Sequence, residues 1–202
     1  PIRTITVLDG IRSKLPANKV IYDRACDIID SKVIVSFVPG CSIDGRPGFK
    51  ATYWNNSNMA GTPVADQQLT GPLKLATEGK HELAPGVKLE GFSAKFETEF
   101  TPAVSEEIVF RCGVAGSFEL VVNGESVRKF ENWWGLASKT PYKFEEGKKY
   151  KIEILYTQLY NWQAIIEFDF GREIDRDLSP LLAKLKGVDL VVFVGGLSNE
   201  LE

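Results

Sequence analysis

Between residues 92 and 170 apolar and polar side chains alternate with a period of two. "FSAKFETEF" sets Phe92, Ala94, Phe96, Thr98 and Phe100 on one face, and "EIVFRC" does the same with Ile108, Phe110 and Cys112. Phe118, Leu120 and Val122 follow in "SFELVVNGESV", Tyr150, Ile152, Ile154 and Tyr156 in "YKIEILY", and Ala164, Ile166, Phe168 and Phe170 in "AIIEFDFG". Successive side chains of a strand point to opposite faces, so this alternation predicts strands with one face on a core. Asn123-Gly124 between two such runs predicts a tight hairpin, because both turn positions need positive φ. Short strands joined by Gly- and Pro-rich turns predict a β-sandwich over residues 47–171.

The two ends have another rhythm. Ile5, Leu8, Ile11 and Leu15 recur at helical spacing until Pro16, and "KVIY" at 19–22 then reads as a short strand. Near the other end Ser179 is placed as an N-cap, Pro180 suits the first helical turn and Gly187 the C′ position, with Leu181, Leu182 and Leu185 as the apolar stripe. Leu190 to Val194 is an unbroken apolar run, the pattern of a strand buried on both faces of a parallel sheet. Neither end, with one helix and one strand, has enough elements to bury a sheet. The economical reading is mainly β: a β-sandwich inserted between two segments of an incomplete α/β domain, divided 1–46, 47–171 and 172–202. No internal repeat is evident.

Composition narrows the partners. The 202 residues are 44% hydrophobic and 25% charged, enough for a core. With 24 basic against 27 acidic residues and no basic stripe, nucleic acid is not an expected partner. No window approaches the roughly 20 apolar residues of a membrane helix, and no signal peptide opens the chain; Pro1 in first position suggests a processed or excised piece. Cys26, Cys41 and Cys112 are compatible with one disulfide plus a thiol or with three buried thiols. His81 is the one histidine and reads as a loop residue. Asp169, Glu173, Asp175 and Asp177 match no calcium-loop spacing and read as a solvated linker. Val114 to Ser117 reads as a loop tip without a carboxylate, which argues against metal-dependent sugar binding.

Tryptophan beside amides suits sugars, whose C–H faces stack on rings while their hydroxyls need polar neighbours. "TYWNN" (Trp54), "NWWG" (Trp133, Trp134) and "YNWQ" (Tyr160, Trp162) have this composition. The same aromatics could equally plug the ends of the sandwich. Past the 190–194 run, Glu200 and Glu202 are candidate carboxylates for glycosidic cleavage, which needs a pair.

In this order the segments resemble a known arrangement. "LVVFVGGLSNELE" is similar to the stretch leading to the acid/base glutamate in the α/β domain of family 3 glycoside hydrolases, and "TVLDGIRSKL…KVIYDRACDI" to the helix and strand preceding it. "GFKATYWNN", "GFSAKFETEFTP", "LVVNGE" and "YKIEILY" resemble the protective-antigen-type (PA-14 type) sandwich that some of these enzymes carry there as an insertion. The resemblance implies retaining hydrolysis of terminal β-linked glucose or xylose, without metal or organic cofactor. It places the nucleophile on a (β/α)8 barrel of the same polypeptide, outside this chain. Glu202 matches the first glutamate of a Glu-Gly-Glu segment, which sets the catalytic one just beyond it; a two-residue slip would give Glu200 or Glu202 that role. The terminal Leu-Glu is also readable as a cloning remnant. By itself the chain is then expected to be inactive. The resemblance further implies that the sandwich limits substrate access through loop aromatics, that the substrate is an oligosaccharide or β-glycoside, and that the parent is periplasmic or extracellular. A free-standing carbohydrate-binding module and a ligand-free structural or interaction domain are the rival readings.

Overall fold

The computed structural model describes residues 6–23, 32–77, 81–133, 135, 137–159 and 163–194. The chain divides into two compact units, Ile34–Ile174 and, together, Pro1–Val33 with Asp175–Glu202.

The larger unit is antiparallel β throughout its registered pairs. Its strands are β1 (Lys32–Ser36), β2 (Ser42–Ile43), β3 (Arg46–Pro47), β4 (Phe49–Trp54), β5 (Ala65–Leu69), β6 (Leu73–Ala76), β7 (Ser93–Phe100), β8 (Glu106–Val122), β9 (Glu125–Asn132), β10 (Ala137–Phe144), β11 (Tyr150–Thr157) and β12 (Ile165–Asp175). The 17-residue β8 belongs to two sheets. Its first half lies between β10 and β12, with Phe110 opposite both Thr140 and Phe170; β6 and β1 extend that sheet beyond β12. Its second half lies between β9 and β11, and β7, β4, β5 and the short β2 and β3 complete the second sheet. The hinge is Gly116, at φ +140°, where a Cβ would come within 2.7 Å of the Thr157 carbonyl and the Tyr156 ring. Only glycine fits that bend.

The period-two faces behave as their pattern predicts. Phe92, Phe96, Phe110, Phe118, Ile152, Ile154, Ile166 and Phe170 are all fully buried. Rings from the two sheets meet face to edge: Phe49 on Phe168 at 6.0 Å and Phe100 on Phe170 at 5.4 Å. Phe110 is ringed by Tyr142, Phe144, Phe168 and Phe170 at 5.5 to 6.1 Å. The Asn123-Gly124 hairpin forms with φ of 52° and 85°, and Val122 pairs with Glu125. Cys41 and Cys112 are buried free thiols, and burial pushes each up to about 12. Cys26 lies outside the described residues.

Two local expectations change. Val114 to Ser117 is not a loop tip but the middle of β8, with Val114 and Ala115 fully buried. Gly116 in that stretch imitates a turn in sequence while the strand crosses between sheets. Asp169, Glu173 and Asp175 are not linker residues but part of β12, which ends at Asp175. Asp169 is half-buried, accepts a hydrogen bond from Ser36 Oγ at 2.6 Å and one from its neighbour's amide, and is held above the usual carboxylate range by burial.

The smaller unit contains α1 (Val7–Arg12) and α2 (Ser179–Leu185). Thr6 caps α1 reciprocally with Asp9. Helix α2 begins one residue earlier than expected: Leu178 is the N-cap, and Asp177 rather than Ser179 supplies the side-chain acceptor, taking the Ser179 amide at 2.8 Å. Lys184 and Asp23, 161 positions apart, form an ion pair at 2.5 Å. None of this unit's described residues is buried. Residues 19–22 and 190–194, expected as strands, form no strand, Lys19 closing a short 3-10 turn; Leu190 is 79% and Phe193 80% exposed. A strand of that type needs neighbours on both edges and helices on both faces, and no described residue supplies them.

Candidate functional site

One line of registered pairs crosses the second sheet near its end. Trp54 lies opposite Ser93, Ser93 opposite Thr157, Thr157 opposite Ser117, and Ser117 opposite Glu131. The chain leaves the sheet at this line after Trp54, after Thr157 and after Asn132. The aromatic-amide stretches, far apart in sequence, therefore start from a common rim.

The loop after Trp54 is held by its own amides. The Trp54 indole donates to the Gly61 carbonyl at 3.2 Å, and the ring is half-buried. Asn55 donates to the Gly86 carbonyl at 3.0 Å and accepts from the Lys88 amide at 2.8 Å, tying two loops together. Asn56 accepts from the amides of Asn58 and Ala60. The Thr157 hydroxyl donates to the Ser57 carbonyl at 3.2 Å, fastening this loop to β11.

The loop after β9 is different. Trp133 is 60% exposed. Gly135, at φ +71°, donates its amide to the Val114 carbonyl at 3.1 Å and rests against Ile165, which brings this loop to the start of β12. Beneath the rim the Tyr156 hydroxyl donates to the Ala115 carbonyl at 2.5 Å, and burial holds the phenol well above its ordinary value. Trp134, Tyr160, Trp162, Glu200 and Glu202 lie outside the described residues. His81 is exposed.

Gln158 was not singled out by composition. It is 5% exposed and donates to the Leu89 carbonyl at 2.9 Å, while its Oε1 is buried with no hydrogen-bond partner among the described residues. The signal was available: it occupies the next inward position after Tyr150, Ile152, Ile154 and Tyr156, where the pattern calls for an apolar residue. Among the described residues no group of three or more His, Cys, Asp or Glu side chains could hold a metal ion. No helix among them is long and apolar enough to cross a membrane.

Fold and rim define a two-sheet β-sandwich module with its polar and aromatic loops gathered at one end. The space between its sheets is filled by aromatic rings. The chain belongs to the PA14 domain family, whose profile matches residues 45–175. Over its whole length it is 36% identical to a xylan 1,4-beta-xylosidase of Xylanibacter ruminicola, of which it spans 24%. Among solved structures it is similar to a beta-glucosidase from Kluyveromyces marxianus in complex with glucose, at 13% identity and a TM-score of 0.55, covering 72% of this chain and 19% of that one. A GH31 alpha-xylosidase from Xanthomonas citri aligns with a TM-score of 0.51 at 13% identity, over 76% of this chain and 16% of its own. In each case this chain corresponds to a small part of a larger glycosidase.

Proposed function

We propose that this chain is the accessory sandwich, with flanking segments, of an exported retaining β-glycosidase acting on β-linked xylose or glucose. The sandwich is inserted into an α/β domain, and its rim borders the path of the oligosaccharide. The identity to a xylosidase along the whole chain supports the parent activity and favours xylose. The insertion is supported by the Lys184–Asp23 pair between distant segments and by exposed apolar side chains from Leu190 to Val194 that need a covering sheet.

The observation that carries a substrate-facing role is Trp133, a large ring left 60% exposed on the rim. An exposed indole beside amides is suited to stacking on a sugar's C–H face; Trp54 is half-buried and bound to the Gly61 carbonyl of its own loop. Trp134, Tyr160 and Trp162 remain candidates for the same contact. The test is Trp133→Ala in the parent enzyme, assayed on an aryl β-xyloside and on xylo-oligosaccharides of increasing length. The aryl substrate should be unaffected, and kcat/KM for the longer chains should fall by about three- to tenfold. Equal activity of variant and wild type on every chain length would overturn the role of the rim. Sugar affinity of the isolated chain without any effect in the parent would favour a carbohydrate-binding module instead.

A further inference from the structure

The second sheet carries another feature, on its outer face and towards the other end of β4. Along β4 the side chains of Phe49, Ala51 and Tyr53 enter the core, so Lys50 and Thr52 face outwards. Their cross-strand partners on β5 are Gln68 and Asp66. Beside them the β2–β3 hairpin turns at Asp44-Gly45, with φ of 50° and 73°, and pairs Ile43 with Arg46. Between hairpin and β5 lies a cleft of about 470 Å³, within the usual range of small-ligand sites. Its walls include Asp44, Arg46, Lys50, Asp66 and Gln68.

The cleft is preformed. Gln68 donates to the Pro47 carbonyl at 2.7 Å, bridging β5 to the hairpin. The Gly48 amide donates to the Cys41 carbonyl at 2.9 Å, and its carbonyl accepts from the buried Thr98 hydroxyl at 2.7 Å. Gly48 sits at φ +85° with its Cα so close to Leu69 that a Cβ would lie 2.0 Å from that carbonyl oxygen. A residue with a Cβ could not approach β5 so closely at this position.

Two of the polar side chains facing the cleft are uncommitted. Among the described residues the side chains of Arg46 and Asp66 make no hydrogen bond or ion pair, while Asp44 reaches Lys50 only at 4.0 Å and Gln67, also in the lining, is bonded to the Tyr53 hydroxyl and the Leu83 carbonyl. Two cations and two carboxylates sum to zero, which favours neither an anion nor a cation. Ile43 is the one aliphatic side chain of the lining, so an apolar ligand gains little. A carboxylate accepts two O–H groups at once and a guanidinium donates several N–H bonds in a fixed fork. Vicinal hydroxyls and ring oxygens match that set. We propose that this cleft is a second carbohydrate site, for a short neutral oligosaccharide, with Asp66 accepting from a diol, Arg46 donating to hydroxyl or ring oxygen, and Gln68 holding the wall. Lys50 and Trp54 share the outer face of β4, and four residues of strand place the cleft about 13 Å from the rim.

The test uses the full 202-residue chain titrated with xylotriose, cellotriose and maltotriose to roughly 20 mM, followed by backbone amide shifts. At least one sugar should shift amides within 43–50 and 65–69. Arg46→Ala and Asp66→Ala should each weaken that binding about tenfold, and Asp66→Asn less. Trp133→Ala should leave it unchanged, so failure at the cleft and failure at the rim are separate results. Both substituted residues are exposed, and circular dichroism verifies that the variants fold. Absence of shifts at those amides with all three sugars would overturn the proposal. So would affinity unaltered in both alanine variants.

Discussion

Phe110→Ala is the sharpest test of which face of the first sheet is buried. Phe110 lies in the part of β8 shared with β10 and β12, is fully buried, and has four aromatic rings within 6.1 Å. Truncation forfeits roughly 2 to 3 kcal/mol of apolar transfer. A residual cavity of about 80 Å³ adds roughly 2 kcal/mol at ~24 cal/mol per Å³. The total of about 4 to 5 kcal/mol is at the upper end for such a truncation because strands on both sides pin the backbone and oppose collapse. Urea unfolding at neutral pH, followed by near-ultraviolet circular dichroism, should show a lower midpoint with an unchanged slope. Glu107→Ala, three positions earlier on the exposed face of β8, should stay within about 0.5 kcal/mol of wild type. A loss below about 1.5 kcal/mol for Phe110→Ala, or similar losses for both variants, would refute the assignment of faces and the shared core.

Gly116→Ala should cost at least about 3 kcal/mol, measured by the same unfolding, because a Cβ there meets the Thr157 carbonyl and the Tyr156 ring at 2.7 Å in a φ that side chains avoid; wild-type stability would sink the reading of a sheet-crossing hinge. The pH dependence has two opposing parts. Glu97 is pushed up by burial but held below the ordinary carboxylate range overall by Lys95 and Lys151, and Glu119 is lowered by hydrogen bonds from Ser126 and Lys129. Their contribution is complete above the unfolded glutamate value of about 4.3 and is lost as pH falls through the lower folded values. Asp169 has the opposite sign: raised by burial, it favours the folded state below about pH 3.9 and loses that contribution as pH rises through its folded value. Stability curves of wild type and Asp169→Asn should therefore diverge as pH rises from about 4, with the variant relatively more stable at neutral pH; parallel curves would contradict the burial argument.

Strand identity was legible because burial on one face writes itself into every second residue, as in Phe92 to Phe100 and Tyr150 to Tyr156. The Asn123-Gly124 hairpin was legible because its backbone demands residues that tolerate positive φ. Both are local constraints. The apolar run at 190–194 has the composition of a buried strand, but a strand's burial is decided by neighbours, and no described residue pairs with it. Val114 to Ser117 looked like a turn because glycine marks both turns and crossings; the flanking strands decide which, and here β8 bends at Gly116 and continues from one sheet into the other. The candidate aromatics were readable one stretch at a time, while the rim exists only through the register linking Trp54, Ser93, Thr157 and Ser117. The outer cleft left no sequence mark. Arg46 and Asp66 are unremarkable surface residues twenty positions apart, and only the Gly48 contact with β5 makes them face each other across a common space. The sequence by itself thus determined which segments become strands and which of their faces point inwards, since those depend on residues one and two positions away. Tertiary structure alone decided which strands adjoin and which polar groups converge, because pairing register acts between residues that the chain keeps apart.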